Sequence, residues 1–422
     1  MANQQRHVND YLAQLLQNNN LDQLRTKLEA KLEIPAAQSI PRDPRISDKA
    51  IARRWSVLSG DDAIKQQLLD LQTVEQQTAY QRNIENFIGT VKLPVGIAGP
   101  LRVNGLFAQG DYYIPLATSE AALVASYSRG ANLISKAGGC TALLLNEGVS
   151  RAPGFAFKSL VDAGSFVAWA VSELEEFKQI AEATTRFGKL KDMRITVEGN
   201  HVYLNFEYLT GDASGQNMVT IATHAIFEYI KQKSPVEMEY AFIEANLSGD
   251  KKASSQSFHS VRGKKVTAEV ILPAELVKQV LHTTPESMVD YWRMSALGGV
   301  MSGTIGVQGH YANGLAALYI ACGQDAACVS ESSIGVTRFE LTEEKGLYAS
   351  VTLPNLIVGT VGGGTGLPSQ HACLEILGLA GEGKAQALAE VCASVALAGE
   401  LSIIGALCAD HFARAHQQLA RG

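Results

Sequence analysis

The stretch MRITVEGNHVYLNFEYL, residues 193–209, decides the fold of the middle of this 422-residue chain. Two runs of alternating apolar residues flank Gly199-Asn200, the dipeptide that best accepts the positive φ values of a tight hairpin turn. Working outward, an apolar stretch at 155–161 precedes a helical pattern from about Ser165 to Ala183. After the hairpin, a second helical pattern covers about Ser214–Lys233, and EYAFIEA (239–245) is a third alternating run. The order βαββαβ predicts a ferredoxin-like, split βαβ domain over 153–245.

The flanking segments, 85–152 and 246–422, are rich in Gly and Ala, with strand patterns in KKVTAEVIL (264–272) and YASVTLP (348–354). They predict a large mixed α/β domain into which the small one is inserted, an α+β chain overall. Residues 1–84 are polar. Leu12, Leu15, Leu16, Leu21 and Leu24 at helical spacing, a break at Pro35 and an extended link around Pro41–Pro44 predict a helical arm. The polar first twenty residues are expected to carry no export signal. The most apolar stretch, 388–408, is interrupted by Glu390 and Glu400 and reads as a buried helix rather than a membrane span.

The formal charge of −6 supplies no basic stripe for nucleic acid. Six cysteines without C-x-x-C pairing or metal-ligand spacing read as reduced, mostly buried thiols of a cytoplasmic protein, and no metal is expected.

No G-x-G-x-x-G follows a strand, so a Rossmann site lacks its fingerprint. GDASGQNM (211–218) sits instead between a hairpin strand and a helix. The backbone N–H groups of Ser214–Asn217 would face outward there as an anion site, or Asp212 would simply cap the helix. Arg186 in TTRFGKL is either a phosphate clamp or a solvated surface residue. Glu120 follows Thr118, expected as a helix cap. Apolar neighbours suggest a buried carboxyl with a raised pKa, against the alternative of a simple dipole partner. Lys251, in Asp250-Lys251-Lys252, is a fixed charge for an oxyanion or part of a solvated loop. Asp325, the one charge in YIACGQDAACV, needs a partner if buried, and a lysine across a cleft is one candidate. In the last helix His411 shares a face with Ile404, Leu407, Cys408, Phe412 and Ala415 and reads as packed. His416, about 140° further round, is free to act on a mobile flap.

These segments occur together, in one order, in a known family. ENFIGTVKLPVGIAGPL (85–101), PLATSEAALVAS with Arg129-Gly130, GDASGQNM, DKK, IACGQDAA, GTVGGGT and the terminal histidine helix resemble 3-hydroxy-3-methylglutaryl-CoA reductase over about residues 80–418. AGPL and GQDAA look like the class typical of eukaryotes and some prokaryotes, which generally uses NADPH.

The resemblance implies that Glu120, Lys251, Asp325 and His416 are catalytic. Arg151 would hold the substrate carboxylate, Ser248, Asp250, Lys252 and Asn313 would be other substrate-site residues, and Arg129 a coenzyme A contact. Thr185, Arg186, Asp212, Ser214, Gly215, Gln216, Asn217, Met218, Val361, Gly362, Gly363 and Gly364 would form the dinucleotide site. It further implies a homodimer or homotetramer with sites at the subunit interface, acting on an acyl-CoA away from any membrane.

The family's D-A-M-G-M/A-N is here Asp212-Ala213-Ser214-Gly215-Gln216-Asn217. The lysine loop is shortened to Ser248-Gly249-Asp250-Lys251-Lys252 and followed by Ala253–Ser257 instead of a Pro-Ala-Ala motif. A further family lysine aligns with Met294, beside Arg293. A reductase of a related branched acyl-CoA, or a non-catalytic coenzyme A- or nucleotide-binding homologue, therefore stay open as alternatives.

Overall fold

The computed structural model describes residue 13, residues 20–59 and residues 61–409. They divide into two compact units, the first made of residues up to Leu69 with Glu85–Ile88, the second of the rest.

In the first unit, helices α1 (Leu21–Leu28), α2 (Asp48–Trp55) and α3 (Asp62–Leu68) are each opened by a polar cap, from Asn20, Ser47 and Asp61. Residues 35–43, bounded by Pro35 and Pro44, form no helix or strand. The unit is pinned by Arg54, only 1% exposed, which donates to the carbonyls of Pro41, Asp43 and Phe87. Contrary to the amphipathic pattern, α1 buries nothing, and Leu21 and Leu28 are exposed. Leu12, Leu15 and Leu16 lie outside the described residues.

The second unit contains α4 (Leu71–Glu75), β1 (Val95–Gly105), β2 (Gln109–Ala117), α5 (Leu123–Lys136), β3 (Cys140–Arg151), β4 (Gly154–Ala156), α6 (Leu160–Ser172) and α7 (Leu174–Ala183). The hairpin β5 (Lys189–Glu198) and β6 (His201–Leu209) follows, then α8 (Gln216–Lys233), β7 (Tyr240–Phe242), β8 (Gly263–Leu272), α9 (Ala274–Leu281) and α10 (Pro285–Ser302). The chain ends through β9 (Gly306–Val307), α11 (Tyr311–Ala321), α12 (Val329–Ser332), β10 (Gly335–Leu341), β11 (Leu347–Leu356), α13 (Pro368–Ile376) and α14 (Ala385–Cys408).

Gly199 indeed takes φ 56° at the hairpin turn. Strands β7-β4-β6-β5 lie side by side, all antiparallel, which is the order of a split βαβ sandwich. The single expected helix is two, broken at Glu173. Its backbone N–H still bonds to Trp169, but its side chain accepts from Tyr229 rather than capping α7. The last strand, an alternating run over 239–245 in the sequence, is only three residues at the sheet edge with Tyr240 and Phe242 exposed.

β3 connects two cores. Its N-terminal half pairs with β1 and β8, and Val149–Arg151 pairs with β6. One apolar cluster surrounds β4–β6 and α6–α8, with Phe155, Phe157, Phe166, Phe177 and Phe206 at its centre. The larger one surrounds α14, which packs against α5, α11, β3, β8 and β11. Long and apolar enough to cross a membrane, α14 is 83% buried over its most apolar window and serves as the core helix of this unit.

The two glutamates interrupting α14 are fully buried and fully used. Glu390 accepts from the N–H groups of Leu106, Phe107, Ala108 and Leu144, closing the β1–β2 turn. Glu400 accepts from Gly309, His310 and Thr337. All six cysteines are free, five of them buried. Burial pushes the Cys392 thiol up to about 12, so it stays protonated at neutral pH.

Candidate functional site

Lys251 lies on the loop after β7, in the left-handed conformation (φ 56°), and its Nζ is 2.8 Å from Asp325 Oδ2. The hydrogen bond to Asp325 raises the lysine pKa above its ordinary value. Asp325 is half-exposed rather than buried, and it caps the short 3-10 turn at Ala326–Cys328 by accepting from Ala327 N–H. The partner proposed from sequence is the one the structure supplies.

The rest of the loop faces Arg151. Its guanidinium, buried, donates to Asp250 Oδ2 (2.9 Å), Glu244 Oε2 (3.3 Å) and Thr220 Oγ1 (3.0 Å), while Nε has no partner among the described residues. Ser248 Oγ donates to Glu244, and Lys252 Nζ to the carbonyl of Asp250. Burial works against the Asp250 carboxylate, but Arg262 and Arg151 together hold its pKa below the usual range.

Asp325 also lines a cavity of about 550 Å³ whose other walls are Ser214–Met218 at the start of α8 and Val361–Gly364. Here the backbone is zipped tightly. Thr360 and Val361 donate to the Asp212 carbonyl, and Ala213 bridges Val361 in parallel. A side chain on Gly359 would collide with Ala213 and Ser214, so only glycine permits the approach. Gly215 (φ 81°) opens α8, and no side chain caps it. Asp212 is not the cap considered above, because its carboxylate accepts from Gly383 and Ala385 N–H at the start of α14. The first turn of α8 thus presents free N–H groups and a positive dipole end to the cavity, as phosphate binding requires. Gln216 adds a buried side-chain Nε2 without a partner among the described residues.

Thr185 caps its own turn, accepting from Phe187 and Gly188 N–H. A side chain on Gly188 would collide with Met218 and Thr185, so the turn that carries the exposed Arg186 runs close to the first turn of α8.

Glu120 is elsewhere. It is exposed, on the turn between β2 and α5, with Thr118 Oγ1 accepting from its N–H; α5 starts three residues later from Ala122 in the left-handed region, without a side-chain cap. The burial expected from its apolar neighbours does not occur, since those belong to the ends of β2 and α5. Glu120 lines a second cavity, about 380 Å³, with Arg129 and Asn313, and Asn313 Nδ2 is 3.4 Å from its carboxylate. Arg129 is fixed by three hydrogen bonds to Ser402. The described residues therefore gather in two sets, one around Glu120 and one around the Lys251–Asp325 pair and the start of α8. Met294 is exposed on α10, and Arg293 pairs with Asp290. His411 and His416 lie outside the described residues.

Some groups at these cavities carried no legible signal. Tyr127 OH bonds His310 Nδ1 and Gly314 N–H, wedged against Gly314 and Gly399. Gln324 pairs its amide with the backbone of Gly359. Arg262 and Glu331 form a buried pair under the lysine loop. Among the described residues, no group of three or more His, Cys, Asp or Glu is placed to hold a metal ion.

Residues 50–421 match the family model described as hydroxymethylglutaryl-coenzyme A reductase. Among curated proteins, the chain is 43% identical over 378 residues to the 3-hydroxy-3-methylglutaryl-coenzyme A reductase of Methanothermobacter thermautotrophicus, covering 89% of this chain and 94% of that one. It is 45% identical over 353 residues to the enzyme of that name from Aeropyrum pernix, covering 82% and 83%. Among solved structures it is similar to the class II 3-hydroxy-3-methylglutaryl-CoA reductase of Streptococcus pneumoniae bound to NADPH in open conformations. The TM-score is 0.64 at 20% identity, over 86% of this chain and 97% of that one, a likeness of fold.

Proposed function

The chain belongs to the hydroxymethylglutaryl-coenzyme A reductase family, and we propose that it reduces (S)-3-hydroxy-3-methylglutaryl-CoA to mevalonate and free coenzyme A. NADPH, when bound, supplies the hydride, once for the thioester and once more for the aldehyde that follows. The uncapped start of α8, the orphan Gln216 Nε2 and the glycine-backed loop at 361–364 support binding of a dinucleotide phosphate there. Arg186, on the turn before Gly188, suits a 2′-phosphate.

The observation that carries the reading is the 2.8 Å Lys251–Asp325 contact at the rim of that cavity. Lys251 stabilises the oxyanion that forms as the thioester carbon gains a hydride, and Asp325 keeps the lysine charged. Collapse of the hemithioacetal breaks the C–S bond and releases the coenzyme A thiolate, which His416 protonates. Glu120 delivers the proton to the carbonyl oxygen when the aldehyde becomes the alcohol. Arg151 holds the substrate carboxylate, with Ser248, Asp250, Lys252 and Asn313 around the acyl group and Arg129 toward coenzyme A. Replacing Lys251 with Ala is expected to lower kcat about 10²–10³-fold, measured as NADPH oxidation. An unchanged kcat sinks the assignment.

The separate apolar cluster around β4–β6 supports 153–245 as the dinucleotide domain, with 85–152 and 246–422 as the substrate domain; the arm expected over 1–84 corresponds to a first unit that runs to Leu69 with Glu85–Ile88. The placement of Glu120 and Lys251 at different cavities supports a homodimer in which the two sets meet across the subunit interface. The buried state of α14 fits a cytoplasmic enzyme.

A further inference from the structure

Lys251 holds a left-handed backbone, a conformation that a side-chain-bearing residue keeps only where its surroundings fix it. What fixes it is an ion pair below the loop. Glu331 is fully buried and Arg262 is 2% exposed. Arg262 Nη1 is 2.5 and 2.6 Å from the two Glu331 oxygens. Glu331 Oε1 then accepts from the backbone N–H of Lys251 itself at 3.1 Å. The other arm of the guanidinium, Nη2, donates to Asp250 Oδ1 at 2.7 Å and to Gln216 Oε1 at 2.8 Å. One buried pair therefore grips the catalytic lysine, the residue before it and the first turn of α8. Among the described residues Gln216 keeps its Nε2 unpartnered at the wall of the cavity assigned to the dinucleotide.

We propose that Arg262 and Glu331 are positioning residues that aim Lys251, and that Gln216 ties this aim to the helix on which the dinucleotide phosphate sits. The proposal rests on Lys251 being the oxyanion stabiliser. A uniquely oriented buried pair costs desolvation and gives little net stability, whereas a lysine displaced by about an ångström loses on the order of 100-fold in rate.

The test is a double-mutant cycle on the full chain with Glu331→Gln, Lys251→Ala and both together, reading kcat, KM and the Kd of NADPH by its fluorescence. Glu331→Gln keeps an acceptor of the same shape but removes the charge that holds Arg262. It is expected to lower kcat about 10–100-fold, leave KM and the NADPH Kd within about two-fold, and cause no further loss when Lys251 is already Ala. An equal loss in both backgrounds, or a kcat within about two-fold of the parent, overturns the positioning role alone. An unchanged kcat in Lys251→Ala overturns the functional reading and the proposal with it. If Glu331→Gln does not fold, Arg262→Met with Glu331→Leu removes both charges without leaving a buried one, and is read by the same criteria.

Discussion

At the residue scale, the role proposed for the lysine–aspartate pair rests on charge rather than stability. Both side chains are about two-fifths exposed, so the contact adds little to folding. What little it adds is present below the ordinary lysine pKa of about 10.4 and is lost as pH rises through the raised value. If the ammonium is the active form, as proposed, the same sign governs turnover, and the rate is expected to fall as pH rises through that raised pKa. Replacing Asp325 with Asn is expected to shift the alkaline limb of the kcat profile to lower pH. An alkaline limb that stays in place would show that Asp325 does not hold the proton on Lys251. In the sequence Asp325 stood out as a lone charge in an apolar run, whereas Lys251 read equally as part of a solvated loop, and only the family's order of motifs singled it out. Burial was not legible. Glu120 has apolar neighbours on both sides, yet they belong to two elements and the turn between them leaves the carboxylate in solvent. Glu331, in SESS, reads as an ordinary polar residue, and its partner Arg262 is 69 positions away.

At the element scale, α14 shows how a charged residue can hold an apolar helix in place. Glu390 gathers four N–H groups from the β1–β2 turn and β3. Glu390→Leu strands these donors, and the expected loss is about 3–5 kcal/mol, the usual cost of breaking a buried charged network. Urea unfolding measures it, and a loss below about 1 kcal/mol would mean that water replaces the carboxylate. The helices α5 and α14 approach so closely that a side chain on Gly130 would overlap the Ala398 carbonyl. Gly130→Ala is expected to cost about 1–3 kcal/mol by overpacking. Elements defined by local periodicity were legible, above all the β5–β6 hairpin and α8. The break at Glu173, the brevity of β7 and the role of Glu390 depend on partners far along the chain, which no local pattern encodes.

At the scale of the whole molecule, the βαββαβ order announced the small domain because each of its elements is local and consecutive. The larger part is built from β3, β8, β10 and β11 brought together across more than a hundred residues, so only single strands of it could be read. The proposed dimer predicts complementation. Co-expressed Glu120→Gln and Lys251→Ala chains should form hybrids that carry one intact site and one doubly damaged one. Random pairing then restores about a quarter of the parent sites, seen as turnover far above that of either variant alone. Mixtures no more active than the better variant would place both residues in the same protomer's site.

The proposed reduction is tested most directly by following NADPH oxidation and coenzyme A release together, with hydroxymethylglutaryl-CoA as the acyl donor. Two NADPH are expected to be consumed for each thiol released. A protein inert on this thioester yet active on another branched acyl-CoA would contradict it.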